Sequence, residues 1–253
     1  MMLEARALAI GYGRTIIGSG LDVTLRAGEV LALLGPNGGG KTTLLKTLLG
    51  LIPPLGGEVR LVERPLADLS PRERSRLMAY VPQVHAGTFA FSVEDMVLMG
   101  RSAHASLFSG PSAHDRAVAA GALARTGLGH LAERAYTMIS GGERQLVLIA
   151  RALAQEPRVM VLDEATANLD FGNQGKVLRE IRRLAASGLA VVFSTHDPNH
   201  ALRYADRALL IRDGASIASG PAQTVLTAEA LTALYRSDIV RIGSPPEVAY
   251  LPG

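Results

Sequence analysis

The chain of 253 residues has no cysteine, which excludes a disulfide framework and any thiolate metal site. It has no apolar run near the roughly 18–20 residues needed to cross a bilayer. The N-terminus, MMLEARALAI, lacks a basic segment followed by an apolar one, so no secretory signal is expected. Lysine is scarce: of 26 basic residues only Lys41, Lys46 and Lys176 are lysines, the rest being arginines. The net charge of +3 is modest and its basic residues are scattered, which argues against a nucleic-acid partner. Internal repeats and low-complexity linkers are also missing. With 48% apolar and 19% charged residues, a globular cytoplasmic domain with a substantial core is expected.

What is there alternates. The N-terminal EARALAI and DVTLRAGE read as short strands separated by a turn-rich GYGRTIIGSG, and GEVRLVE (57–63) continues an antiparallel patch. EVLALLG is a continuous apolar run of the kind found in buried parallel strands. KTTLLKTLLG then changes to helical spacing and stops at Gly50. Residues 84–138 hold no convincing strand. Ser92 with Asp95, and Ser112 with Asp115, stand at capping-box spacing, so this stretch reads as an inserted helical lobe. Helices near 141–155, 173–187 and 198–205 follow, alternating with RVMVLDE, LAVVFSTH and RALLIRDG, with a hairpin around Asp213-Gly214 and a short last helix capped by Thr227. The fold class is α/β, with a mostly parallel core sheet, an N-terminal antiparallel β patch and an inserted helical lobe.

GPNGGGKTT (35–43) fits the P-loop spacing between a strand and a helix. Gly38, Gly39 and Gly40 let backbone N–H groups converge on phosphate oxygens, with Gly35, Pro36 and Asn37 forming the rest of the binding loop, and the following helix aims its positive end at the same point. Lys41 is expected to reach the β and γ phosphates of a nucleoside triphosphate, which a P-loop alone does not narrow to one base. Thr42, with Thr43 beside it, is expected to present its hydroxyl to Mg²⁺. RVMVLDEA (158–165) delivers two adjacent carboxylates at a strand end: Asp163 for Mg²⁺, and Glu164 to orient or deprotonate the attacking water.

A second candidate cradle is ISGGERQ (139–145). Ser140 and Glu143 match a capping box, which accounts for both. It leaves Gly141 and Gly142 unexplained, since each weakens a first helical turn by up to about 1 kcal/mol relative to alanine. Glycines belong there if something must approach the backbone closely, and a bare helix N-terminus favours a phosphate.

Tyr12, the P-loop, Gln83 after MAYVP, SGGE (140–143), VLDE, NLD (168–170) and His196 after VVFST occur in the order of ATP-binding cassette (ABC) ATPases, which the chain resembles over nearly its whole length. The resemblance implies a single domain, with 1–83 and 139–253 forming a RecA-like core plus the β patch and 84–138 the inserted lobe. It implies a head-to-tail homodimer in which the P-loop of one subunit and Ser140, Gly141 and Gly142 of the other close on one ATP. Tyr12 is then expected to stack on adenine, Gln83 to sense Mg²⁺ or the attacking water, Asp170 to cross the interface, and His196 to contact the γ-phosphate. The sequence departs from the family pattern at Ile139, usually leucine; at Glu143, usually glutamine and read here as a capping partner; and at Ala165, usually proline.

SVEDMVLMGR within 84–104 is similar to importers of metal chelates (iron-siderophore, haem, cobalamin), and the lobe to the molybdate branch. This implies separate transmembrane permease subunits contacting 84–104, a solute-binding protein acting indirectly, and a peripheral position on the cytoplasmic face of the membrane. The rival expectation is a soluble ABC ATPase such as an iron–sulfur assembly factor. Pro198 starts a helix between His196 and His200, so His200 is expected on a helix surface; His85, His104, His114 and His130 have no partner cluster. RERSRL (72–77) reads as a solvated helix face, and the tail 236–253 as a turn at Ser-Pro-Pro followed by a short surface strand.

Overall fold

A computed structural model describes residues 1–83, 91–104, 110–244 and 247–253. The expectations placed on His85, on the first part of the 84–104 contact region and on the Pro245-Pro246 turn lie outside the described residues.

The chain opens with β1 (Leu3–Tyr12) and β2 (Thr15–Leu25), then β3 (Val30–Leu34) and α1 (Lys41–Leu48). β4 (Gly56–Leu61), β5 (Arg64–Pro65), α2 (Pro71–Leu77) and β6 (Met78–Val81) come next. A helical stretch holds α3 (Val93–Leu98), α4 (Ala113–Arg125) and the start of α5 (Gly141–Ala154). Then come β7 (Val159–Leu162), α6 (Phe171–Ala186), β8 (Ala190–Thr195), α7 (Pro198–Tyr204), β9 (Arg207–Arg212) and β10 (Ala215–Pro221). The chain closes with α8 (Ala222–Val225), α9 (Ala228–Tyr235), β11 (Ile239–Ile242) and β12 (Ala249–Pro252).

The central sheet runs β10-β9-β3-β8-β7-β6. Its inner pairs are parallel, and β10 joins antiparallel through the Asp213-Gly214 hairpin. Strand pleat divides its side chains between two cores. Val30, Ala32, Leu34, Met160, Leu162, Val191 and Phe193 face one; Leu31, Leu33, Val159, Val161, Ala190 and Val192 face the other. A sheet buried on both faces needs apolar residues at every position, which is why these strands read as unbroken runs. The second core is closed by α1 and by the antiparallel sheet β2-β1-β4-β5, the first by α3 to α9.

One expectation changes here and another gains detail. The stretch GYGRTIIGSG is mostly strand: β1 and β2 pair through Tyr12↔Thr15 and Gly11↔Ile16, and only Gly13 and Arg14 turn. Glycine content suggested a loop, but the strand needs it for close approach, because a Cβ on Gly18 would stand 2.3 Å from the Gly214 carbonyl oxygen. RERSRL is a solvated face, with no residue of α2 buried, and its arginines also bond: Arg72 and Arg76 both donate to the Ala103 carbonyl at 3.1 Å, and Arg74 donates to the Gly50 carbonyl at 2.9 Å. The arginines join α2 to the helical stretch and to the end of α1.

The three expected capping boxes form, at Ser92, Ser112 and Ser140, and a fourth caps α2 at Ser70. Arg101, 4% exposed, pins the helical stretch to α5: it donates to Asp115 Oδ1 at 2.9 Å, the Ala154 carbonyl at 2.7 Å and Glu156 Oε2 at 2.8 Å. A buried guanidinium needs such saturation of its donors. Gly100 lies so close to α5 that a Cβ would meet the Arg151 carbonyl oxygen at 2.2 Å.

Candidate nucleotide site

In an open parallel sheet, ligands bind beyond the carboxyl ends of the strands. Here β3 ends in the P-loop, β7 in Asp163-Glu164, β6 in Pro82-Gln83 and β8 in Ser194-Thr195-His196. A cleft of about 350 Å³ at this edge is lined by Asn37, Gly38, Gly40, Lys41, Thr42, Thr43, Gln83, Glu164 and Ile17. Ile17 arrives from β2; it is an ordinary apolar strand residue that nothing in its local sequence marks.

The P-loop is held by close backbone contact as well as by hydrogen bonds. A Cβ on Gly35 would lie 2.0 Å from the Ile211 carbonyl oxygen, and Gly40 begins α1 at φ 99°. Lys41, 4% exposed, donates to the carbonyls of Gly35 at 2.8 Å and Pro36 at 2.9 Å and sits 3.7 Å from Glu164 Oε1. Burial draws its pKa below the ordinary lysine value, while Glu164 and Asp163 pull the other way. Gln83 Nε2 is 3.5 Å from Glu164 Oε2. Three expected participants therefore meet at one carboxylate.

Glu164 adopts φ 47°, a region a non-glycine residue enters only when its surroundings impose it. Ser194 bonds the peptide that adopts it. Its hydroxyl, 1% exposed, accepts the Glu164 N–H at 2.8 Å and donates to Asp163 Oδ1 at 2.7 Å. Tyr80 Oη donates to Asp163 Oδ2 at 3.4 Å, and burial followed by Asp163 pushes its phenol up to about 12. Neither Ser194 nor Tyr80 was singled out from sequence, although a hydroxyl ending an otherwise apolar buried strand is a usable signal. Ser194→Ala leaves an N–H and a carboxylate oxygen unpaired, so a loss of about 1–3 kcal/mol in unfolding free energy is expected. An unchanged urea midpoint would show that water replaces the hydroxyl.

The second candidate cradle is elsewhere: Ser140, Gly141, Gly142 and Asp170 do not line this cleft. Ser140 caps α5, accepting from Glu143 N at 3.3 Å, while Glu143 Oε2 takes the Ser140 N–H at 2.7 Å; the Ser140 hydroxyl, and then its N–H, hold the carboxyl below its usual pKa. Glu143 is thus turned back as the capping partner. Asp170 caps α6, accepting from Asn173 N at 2.8 Å and Nδ2 at 2.6 Å. The two glycines separate in cause. A Cβ on Gly142 would meet Asn173 Cγ at 2.4 Å, whereas one on Gly141 finds nothing nearer than Leu169 at 3.7 Å. Packing within the chain accounts for Gly142; Gly141 keeps an open approach.

Tyr12 is 48% exposed at the end of β1. His196 is exposed at the end of β8 and lines a separate groove with Tyr235 and Tyr250. His200 is not a surface residue: its side chain is 14% exposed, Nε2 lies 3.4 Å from Asp197 Oδ2, and burial lowers its pKa. α7 packs against the sheet through Ala201 and Leu202, and that rotation carries His200 inward. His104 Nε2 contacts the Gln155 carbonyl at 3.0 Å.

The sequence model of the ABC transporter family matches residues 19–167, from β2 past the carboxylate pair. The chain belongs to that family. This ABC protein is 46% identical over 232 residues (87% of this chain, 84% of the relative) to the hemin import ATP-binding protein HmuV of Gloeobacter violaceus. It is 43% identical over 216 residues (85% and 80%) to the molybdate import ATP-binding protein MolC of Haemophilus influenzae. Among solved structures, an ABC transporter of the metal-chelate type in an inward-facing conformation matches with a TM-score of 0.89 and 37% identity, covering 100% of this chain and 97% of that one. As an ABC ATP-binding subunit the chain binds nucleotide and is an ATPase, and the fold class expected from sequence is the one found. Among the described residues no helix is long and apolar enough to cross a membrane.

Proposed function

We propose that this chain is the energy-coupling ATPase of a multi-subunit importer, that its cargo is a metal chelate or molybdate, and that it works as a head-to-tail homodimer. The observation that carries the dimer is the separation of the two cradles. The cleft gathers the P-loop, Gln83 and Glu164, while the α5 N-terminus, with Gly141 open, is not part of its lining. A second copy supplies Ser140, Gly141 and Gly142 to the γ-phosphate, with Asp170 at the same interface and Tyr12 against adenine. Hydrolysis is positioning plus electrostatics: Lys41 and the P-loop amides neutralise the phosphates, Glu164 takes the proton of the attacking water, Gln83 orients that water, and His196 contacts the γ-phosphate.

Thr42, Asp163 and Gln83 are hard oxygen donors, and among the described residues no cluster of three or more His, Asp or Glu could hold an ion unaided. This donor set suits Mg²⁺, which keeps waters and takes substrate phosphate oxygens as ligands. When bound, Mg²⁺ spreads the charge that develops on the β- and γ-oxygens.

Partnership with separate permease subunits, on the cytoplasmic face of the membrane and through the region 84–104, follows from the import subunits it resembles. Those relatives also favour an importer over a soluble assembly factor. Affinity purification from gently solubilised membranes of the host is expected to recover a multi-span subunit in equimolar amount. Its solute-binding protein can then be tested against haem, ferric siderophore and molybdate. Recovery from the soluble fraction with a scaffold protein and no permease would overturn the importer.

A further inference from the structure

The end of α9 makes three contacts that the mechanism above does not use. Tyr235 Oη donates to the His196 carbonyl at 2.7 Å. Arg212 Nη1 donates to the Ala233 carbonyl, and Arg236 Nη2 lies 3.3 Å from Asp213 Oδ2. Arg212 and Asp213 precede Gly214, whose N–H donates to the Gly39 carbonyl at 3.2 Å. Within four residues, the last turn of α9 thus touches the loop that carries His196 and the hairpin turn that supports the P-loop.

The far side of the His196 loop is also held. Asn199, in the first turn of α7, donates from Nδ2 to the Tyr250 carbonyl at 3.0 Å and accepts the Tyr250 N–H on Oδ1 at 2.8 Å. Tyr250 Oη donates to the Leu226 carbonyl. The β11–β12 hairpin is therefore anchored to α7 and to the entry of α9. His196 itself is exposed just past the end of β8. Its backbone is placed from outside.

We propose that α9 is a brace that sets the His196 backbone relative to the P-loop, with Tyr235 as the positioning residue. The inference rests on the assignment of His196 to the γ-phosphate. A hydroxyl donating to a carbonyl restricts the peptide that carries the imidazole, and the Arg212 and Arg236 contacts refer that restriction to the P-loop turn. Burial, then Asp197, holds the Tyr235 phenol well above its ordinary pKa, so it remains a donor throughout the working range.

The test is a cycle of Tyr235→Phe, His196→Ala and the double variant in the full-length chain, reading ATP turnover, KM for ATP and the thermal midpoint. Tyr235→Phe keeps the ring and removes one neutral hydrogen bond. It is expected to lower kcat about three- to tenfold, with KM within about twofold and the midpoint close to that of the parent. In the His196→Ala background the same change is expected to have no further effect, because the group being positioned is gone. Wild-type kcat in Tyr235→Phe, or an equal loss in both backgrounds, overturns the brace while leaving His196 in place. Wild-type turnover in His196→Ala removes the histidine's role and the brace with it.

Discussion

Glu164→Gln is expected to reduce steady-state ATP turnover by about 10²–10⁴-fold, the contribution of a positioned general base, while ATP binding is retained or tightened. The substitution preserves shape and the Glu164 N–H to Ser194 bond, which is a backbone contact. It removes the charge that faces Lys41 at 3.7 Å and that repels a triphosphate. The loss should therefore fall on kcat, and an equilibrium measurement with labelled ATP should give a dissociation constant no larger than that of the parent. Single-turnover and binding experiments on the same preparation separate the two effects. Turnover like that of the parent would reject Glu164 as the base, and the carboxylate held against Gln83 and Lys41 would then be a structural feature of the cleft.

Gly214→Ala is expected to be among the most damaging single-methyl changes in the chain. Gly214 has φ 73°, and an added Cβ would lie 1.7 Å from the Ile17 carbonyl oxygen and 2.5 Å from the Gly18 Cα. Neither neighbour is the flexible end of a side chain, so the antiparallel sheet must move away from the core. The left-handed backbone costs about 1–2 kcal/mol for alanine, and overpacking adds about 1–3 kcal/mol. Gly127 isolates the first cost. Its φ is 75°, and an added Cβ meets nothing within 4 Å. Urea unfolding of the two variants should thus show a small shift for Gly127→Ala and a much larger one for Gly214→Ala. Equal shifts would mean that the hairpin relaxes freely. Because the Gly214 N–H holds the Gly39 carbonyl, weaker ATP binding should accompany the larger shift even where the variant remains folded.

The P-loop and the carboxylate pair were legible because their signals are local. A P-loop is a run of glycines between a strand and a helix, and the carboxylate pair ends an apolar run, so spacing alone names the residues. Helix starts were equally plain, since Ser92, Ser112, Ser140 and Thr227 each bond to a backbone N–H three residues on. Order along the chain also carried the family resemblance, which the comparisons bear out.

Other features depend on contacts between residues far apart in the chain, and no local pattern encodes them. Ser194 acts on Asp163 and Glu164 because β7 and β8 are parallel neighbours; in sequence it shows only as a hydroxyl ending an apolar strand, with no sign of which groups it meets. Gly18 looked like part of a loop because its reason is Gly214, some two hundred positions away. Gly142 answers to Asn173, His200 turns inward because of the face α7 buries, and Tyr235 reaches His196 only after the chain has doubled back. Propensity and periodicity report what a residue does to its own backbone and its nearest turns. Which two backbones come within 4 Å of each other, and which hydroxyl completes a carboxylate, is settled only when the sheet order has brought the strand ends together.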